Sequence, residues 1–333
     1  MKNIQYKSVT VNDASIFSQL LFERQEDETE VFPFLKNEYL TLGNIEQLMN
    51  DFLSSTNIIG LCAFIDDVIV GYIVGEIRVD AYRGNGRHIW VPYHGIAICR
   101  EQSPELLREL YSEVSKLWIK AGCFNHIINI PLGDHLYLEA LQRLSFAIDH
   151  VHGVMPLTDF SSFQTSCQTK VRFAGKGDEE KLGSLSRVIL SSLNQSPTYL
   201  PVIRETVDGI NKGFKDLVND DESIVFLAEE NDKAVAFQVY EYLDNGIMIP
   251  DNSIELSVAG TLKAFAGQGL GKHLTDHTCE VMKEKGFDFI ISDWKMSNLS
   301  ASTFWPKCGF KPISFRMTRM INKDVTWASI DKY

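Results

Sequence analysis

Seven consecutive residues, Ala266, Gly267, Gln268, Gly269, Leu270, Gly271 and Lys272, carry the strongest chemical signal in this chain. Three alternate glycines between a strand-like run and a helix-like run free the backbone to aim N–H groups at an anion at a helix N-terminus, and pyrophosphate suits such a seat. Two well-known nucleotide loops do not fit the spacing. A Walker loop needs glycine where Ala266 stands and Ser or Thr where His273 stands. A dinucleotide fingerprint needs two residues between its second and third glycines, and only Leu270 separates Gly269 from Gly271. The structural alternative is a glycine turn that packs a helix on a sheet.

The elements around the loop place it. Residues 225–230 and 234–240 read as two strands about a short turn, Asn231-Asp232-Lys233. Residues 253–261 alternate, with Ile254, Leu256 and Val258 on one face and Glu255, Ser257, Ala259 and Thr261 on the other. After the loop, Leu270, Leu274, Val281 and Met282 approximate a helical stripe that stops at Lys285-Gly286. A buried strand over 287–294, a short helix from Asn298 to Lys307 and a strand over 313–320 complete the unit.

The unit occurs twice. A shift of 164 residues superposes Gly122 on Gly286, Ile127 on Ile291, Phe146 on Phe310, Leu106 on Leu270 and Leu110 on Leu274. One extra residue brings Gly71-Tyr72 onto Ala236-Phe237. The expected organisation is therefore a domain over 1–157, a polar linker over 158–169 and a second domain over 170–325. A length of 333 residues, 44% of them hydrophobic, suits two cores better than one.

Two ordered signatures then resemble one family. The loop opens a helix after a strand, and Asn298-Leu299-Ser300-Ala301-Ser302-Thr303-Phe304-Trp305-Pro306-Lys307-Cys308-Gly309-Phe310 follows the pattern of an Asn, a small residue three on, and an aromatic-x-K-x-G-F ending. Together they resemble the GCN5-related N-acetyltransferase (GNAT) family. By the internal repeat, the whole chain is similar to its tandem two-domain members. The fold so implied is α/β: two tandem GNAT-like (acyl-CoA N-acyltransferase) domains, each a mixed, mostly antiparallel sheet flanked by helices.

What the resemblance implies for residues is specific. The co-substrate is acetyl-CoA, its pyrophosphate wrapped by the backbone of Ala266, Gly267, Gln268, Gly269, Leu270, Gly271 and Lys272, with the helix dipole assisting. Backbone groups of the Ala259, Gly260 and Thr261 stretch pair with pantetheine and the thioester carbonyl, an oxyanion-type contact. Glu255 matches the glutamate base of the histone acetyltransferase branch in strand and spacing, and Asp293 is the second candidate base. Asn298 is carried over as a cofactor contact, with a helix N-cap as its alternative. The family has Arg or Gln where Ala266 stands, so a side-chain contact is missing and affinity should be weaker. Many members have Tyr where Trp305 stands. An indole cannot protonate the leaving thiolate, so Trp305 is at most a stacking wall. The acceptor so implied is an amine of a small molecule or peptide, cationic amines included. A non-catalytic acyl-CoA-binding or scaffold protein is the alternative, and acylation of a hydroxyl or thiol stays open.

The first copy departs from the loop pattern, reading Gln102-Ser103-Pro104-Glu105-Leu106-Leu107. Pro104 lacks an N–H, Leu107 replaces a glycine and Glu105 would face a dianion, so this copy is not expected to bind coenzyme A. Ser103 then Pro104 reads as an ordinary helix start.

Composition narrows the partners. A net charge of −12 disfavours nucleic acid. No apolar run is long enough to span a bilayer and no signal core opens the chain, so a cytoplasmic location without membrane attachment is expected. The six cysteines are scattered, with no CxxC pair, and read as reduced core thiols. His273 and His277 have a metal-compatible spacing but no third ligand nearby in sequence, so no metal is expected.

Overall fold

The computed structural model describes residues 4–79 and 86–330. In chain order the strands and helices are β1 (Ile4–Ser8), α1 (Ala14–Val31), α2 (Leu42–Leu53), β2 (Ile58–Ile65), β3 (Val68–Val79), β4 (Arg87–Val91), β5 (Ile96–Ile98), α3 (Pro104–Lys120), β6 (Asn125–Pro131), α4 (His135–Arg143) and β7 (Ala147–Pro156). After the linker come β8 (Lys170–Phe173), α5 (Glu179–Asn194), α6 (Arg204–Asp216), β9 (Ser223–Glu230), β10 (Lys233–Tyr242), β11 (Ser253–Thr261), α7 (Leu270–Glu284), β12 (Phe289–Lys295), α8 (Leu299–Lys307) and β13 (Lys311–Met320). Among the described residues there are eight α-helices, and residues 157–169 carry no regular element.

The repeat is visible element by element. β6, α4 and β7 recur as β12, α8 and β13 at a shift of 164 residues. Asp134 caps α4 by accepting from Leu136 N–H as Asn298 caps α8 by accepting from Ala301 N–H. Even the turns repeat. Asp66 and Asp67 have φ of 51° and 63°, and Asn231 and Asp232 have 50° and 60°. Two successive positive φ values make a type I′ hairpin turn, which Asn and Asp tolerate best among residues with a side chain.

Two compact units result, and neither is continuous in sequence. One holds residues up to His150, Gly246–Ile249 and residues from Ile313 onward; the other holds Val151–Asn245 and Pro250–Pro312. In the first unit the strand order is β1-β2-β3-β4-β6-β13, with β5 also on β3. β4 and β6 run parallel and the other pairs are antiparallel. α3 presses Leu106, Leu110, Val114 and Trp118 onto this sheet, and Trp118 Nε1–H donates to Ile59 O at 3.0 Å.

In the second unit the order is β8-β9-β10-β11-β12, antiparallel except for the parallel β11–β12 pair. α5 and α6 cover one face, burying Leu182, Leu185 and Phe214 against Phe237 and Val239. α7 covers the other through a buried polar network. Gln238 Nε2–H donates to Thr275 Oγ1 at 2.9 Å, while Tyr240 and Thr278 hydroxyls donate to Gln238 Oε1 at 2.9 and 2.7 Å. Every side-chain polar group there is matched, which fixes how α7 seats on the sheet.

Candidate active site

The β10–β11 hairpin sets the geometry. Its register pairs Glu241 with Glu255 and Tyr240 with Leu256, then Val239 with Val258, leaving Ser257 as the extra residue of a bulge. Residues directly opposite each other project to the same side. Glu241, Glu255, Val258 and Gly260 therefore share the face on which α5 packs, whereas Leu256, Ala259 and Thr261 turn toward α7. The uninterrupted alternation expected from the sequence, with Glu255, Ala259 and Thr261 on one face, is corrected here. One inserted residue reverses every side chain beyond it.

β12 pairs with β11 only through Ser253↔Phe289, Ile254↔Ile290 and Glu255↔Ile291. Ser292 Oγ–H reaches across to Leu256 O at 2.8 Å, and beyond that point the two strands part. The edge of β11 from Val258 to Thr261 thus has no strand partner on the β12 side among the described residues, so its N–H and C=O groups border a notch. Glu255 closes the notch. Asp293 lies two residues past Ile291 on β12, on the same face as Glu255. Burial, then the negative charges of Asp293 and Glu241, push the Glu255 carboxyl above its ordinary range.

The glycine loop lies in the chain segment between the notch strand and α7. Gly267 and Gly269 have φ of +77° and +81°, a region where a Cβ is strained, and Gly269 is the α7 N-cap with no side-chain cap. A Cβ built at Gly267 meets nothing within 4 Å. At Gly271 it would come within 3.2 Å of Phe304 Cζ. The first two glycines therefore serve backbone conformation and open access, and the third serves the close approach of α8. Uncapped N–H groups at the first turn of a fifteen-residue helix, bordered by open space at Gly267, fit a pyrophosphate.

Several predicted side chains are engaged within the protein. Lys272 Nζ sits 5.3 Å from the Phe163 ring centroid, so its cation rests on the linker. Gln268 Nε2–H donates to Ala264 O at 2.9 Å. Asn298 accepts from Ala301 N–H and donates from Nδ2 to Ser192 Oγ at 3.1 Å, which ties the start of α8 to α5. Trp305 is buried, edge-on to Phe304 at 4.8 Å and Phe310 at 5.4 Å. His273 Nε2–H donates to Thr169 O at 3.0 Å and His277 stands edge-on to Phe226. No group of three metal-type ligands occurs among the described residues.

Sequence reasoning missed two features. Asp276 of α7 accepts from Ser162 Oγ–H at 3.1 Å and from Phe163 N–H at 2.9 Å, so the linker is fastened along α7. Glu241 was not singled out, because the ten-residue connection from β10 to β11 hides the register that sets it opposite Glu255.

In the first unit the matching position is filled from within. β4 and β6 pair from His88↔Asn125 to Val91↔Ile128, and β5 joins β3 instead. The buried Arg24 guanidinium donates to Tyr93 O and Ile96 O, and Tyr137 OH accepts from Ile98 N–H at 3.0 Å. Glu28 Oε2 accepts from Gly133 N–H at 2.7 Å. α3 starts with Ser103 as N-cap and Pro104 in the first turn, as its sequence implies.

The model of the acetyltransferase (GNAT) family matches residues 191–310, spanning the notch, the glycine loop and α8. Residues 191–310 are thus similar to a GNAT acetyltransferase domain. The GNAT fold extends over the chain. A GCN5-related N-acetyltransferase from Sphaerobacter thermophilus is similar in structure over 95% of this chain and 95% of its own, at 10% identity and a TM-score of 0.57. The GCN5-related glucosamine N-acetyltransferase region of a fungal multi-domain GH3 β-N-acetylglucosaminidase matches 96% of this chain and 38% of that one, at 14% identity and a TM-score of 0.56. A tandem GNAT protein from the clavulanic acid biosynthesis pathway matches 96% of this chain and 98% of its own, at 10% identity and a TM-score of 0.50. No curated protein matches the sequence. The α/β class and a GNAT-like fold shared with a tandem GNAT protein are thus shown, and the family similarity supports acetyltransferase chemistry in general. No described helix is long and apolar enough to cross a membrane.

Proposed function

We propose that this protein moves an acetyl group from acetyl-CoA to an amine by direct attack, with the chemistry in the C-terminal copy. The observation that carries this is the parting of β11 from β12 immediately after the Glu255↔Ile291 pair. It sets a half-buried carboxylate at the closed end of a notch lined by free backbone groups, and the glycine loop follows along the chain. Backbone amides of Gly267, Gln268, Gly269, Leu270, Gly271 and Lys272 would hold the pyrophosphate, and the edge of Ala259, Gly260 and Thr261 would align the pantetheine and polarise the thioester carbonyl. Ala266 supplies no side-chain contact, so affinity rests on the main chain.

The amine must attack as the free base. Glu255 accepts its proton, directly or through a water, as nitrogen bonds to the acetyl carbon; the C–S bond then breaks and the sulfur leaves as thiolate. A thiol with a pKa near 8.5 needs no strong acid to depart, which suits a site whose Trp305 is buried and offers no phenol. Asp293 and Glu241 add negative charge beside Glu255, favouring an acceptor that arrives as a cation. Asn298 and Trp305 support the site through α8 rather than by reaching into it.

The N-terminal copy is proposed not to bind the coenzyme. Arg24 and Tyr137 already satisfy backbone groups around the matching position.

The test is thiol release from acetyl-CoA with spermidine, glucosamine, tyramine and a lysine-containing peptide. Release that depends on an amine, and loses its alkaline rise in kcat/KM when Glu255→Gln is introduced, is the expected result. Binding of acetyl-CoA with no transfer to any acceptor would instead favour the non-catalytic reading.

A further inference from the structure

The hairpin that carries Glu255 is gripped at its tip. Gly246–Ile249, in the connection from β10 to β11, belong to the first compact unit, although both strands they join belong to the second. Ile247 and Met248 are buried there, 4% and 5% exposed. The tip carbonyls are claimed by amide side chains. Gln25 of α1, fully buried, donates from Nε2 to Ile247 O at 2.8 Å. Asn37, 8% exposed, donates from Nδ2 to Gly246 O at 3.0 Å and to Ile249 O at 2.5 Å. Each amide is held by its other end. Gln25 Oε1 accepts from the buried Arg24 guanidinium at 2.7 Å, and Asn37 Oδ1 accepts from Leu40 N–H at 2.9 Å.

We infer that Gln25 and Asn37 are positioning residues for the reaction proposed above, fixing the entry of β11 and hence the placement of Glu255 against Glu241 and Asp293. From the gripped Ile249 the chain reaches β11 in a few residues that have little freedom. Pro250 O accepts from Ser253 Oγ–H at 2.6 Å, Asn252 adopts φ +52°, and Asn252 O accepts from Asp288 N–H ahead of β12. Glu255 comes two residues after Ser253 and is the last residue paired to both neighbours. A tip free to move would let water in around Glu255 and Glu241 and change how the carboxylates share the site. Neither Gln25 nor Asn37 belongs to the coenzyme loop, so the effect should fall on turnover and its pH dependence, not on coenzyme binding. This inference rests on the functional reading above.

Gln25→Glu and Asn37→Asp are the tests. Each keeps the oxygen that its neighbour uses and replaces the donating NH2 by an oxygen facing a carbonyl. With acetyl-CoA and the fastest amine of the four, both variants should lose about tenfold in kcat, as expected when a buried hydrogen bond is replaced by opposed acceptors. The acid limb of kcat/KM should move to lower pH, because added solvent around Glu255 relieves the burial and the repulsion from Asp293 and Glu241. Calorimetric affinity for acetyl-CoA should stay within twofold, and hydrogen exchange should quicken over 250–256. Loss of folding alone would lower the active fraction and leave the acid limb in place, which would count against the inference. Wild-type kcat and an unmoved limb in both soluble variants would also overturn it while leaving the functional reading intact. No transfer by the wild-type protein to any of the four amines would overturn both.

Discussion

Glu241 and Glu255 stand directly opposite each other in the β10–β11 ladder, two carboxyl groups on one sheet face with Asp293 adding its charge from β12. Like charges in that relation oppose folding, so the arrangement costs stability that a purely structural hairpin would not carry. A raised carboxyl pKa has a definite sign. The group is neutral in both states below its unfolded value near 4.3, and ionised Glu255 destabilises the fold once pH rises through its higher native value. Glu255→Gln should therefore raise Tm at pH 7 by about 2 °C, as roughly 0.5–1 kcal/mol would in a domain of this size, while removing the alkaline rise in kcat/KM. Scanning calorimetry beside pH–rate profiles checks both halves.

Glu241→Gln separates the neighbours from the base. With one negative charge gone, the Glu255 carboxyl ionises more readily, and the acid limb should shift to lower pH with kcat changed little. A limb that stays fixed would show that Glu255 does not set it.

The two kinds of glycine in the loop can be told apart. Gly269→Ala forces a side chain at φ +81° and should cost about 1–2 kcal/mol while weakening acetyl-CoA by about tenfold. Gly271→Ala meets Phe304 instead, so its effect should appear in Tm through α7–α8 packing, with a smaller change in affinity. Titration calorimetry with melting curves for both variants distinguishes these outcomes.

Coenzyme stoichiometry should be one per chain. Calorimetry with acetyl-CoA should give a single site that Gly269→Ala weakens. Two equivalent sites would contradict the self-filled position at Arg24 and Tyr137.

An ionic cluster braces α5, the helix that meets Asn298 through Ser192. Arg172 bridges Asp178 and Glu229 at 2.7 and 2.6 Å and Lys181 also binds Glu229, which holds both carboxyls down at about 2. A depressed carboxylate stabilises the fold above its unfolded pKa near 4, and that contribution is lost as pH falls toward 2. Arg172→Met should lower Tm by about 5 °C at pH 7, allowing for the partial exposure of the cluster, and should make acid unfolding begin nearer pH 4. Circular dichroism across pH 2 to 7 reads this directly.

Much of the architecture was legible from local pattern. The 164-residue shift emerges from glycines, leucines and aromatics that stand where turns and cores demand them, and β6, α4 and β7 recur as β12, α8 and β13 on that register. The alternative reading of Asn298, a helix cap, was legible because its side chain acts within three residues, whereas its role as a cofactor contact rests on the resemblance alone. The bulge at Ser257 was not, since alternation continues through it in the letters and only cross-strand pairing exposes the slip. Nor were the linker's bonds to Asp276, which join residues more than a hundred positions apart, or the burial of Trp305, which depends on Phe304 and Phe310 closing around it.

The last strand follows a different rule from the sequence repeat. From Ser314 to Met320, β13 pairs with β6, a strand made almost two hundred residues earlier. During synthesis, β6 must wait with one flank unsatisfied until β13 has left the ribosome. A gene cut at the linker would leave each fragment with an orphaned sheet margin, insoluble alone and recoverable only when both pieces are produced together.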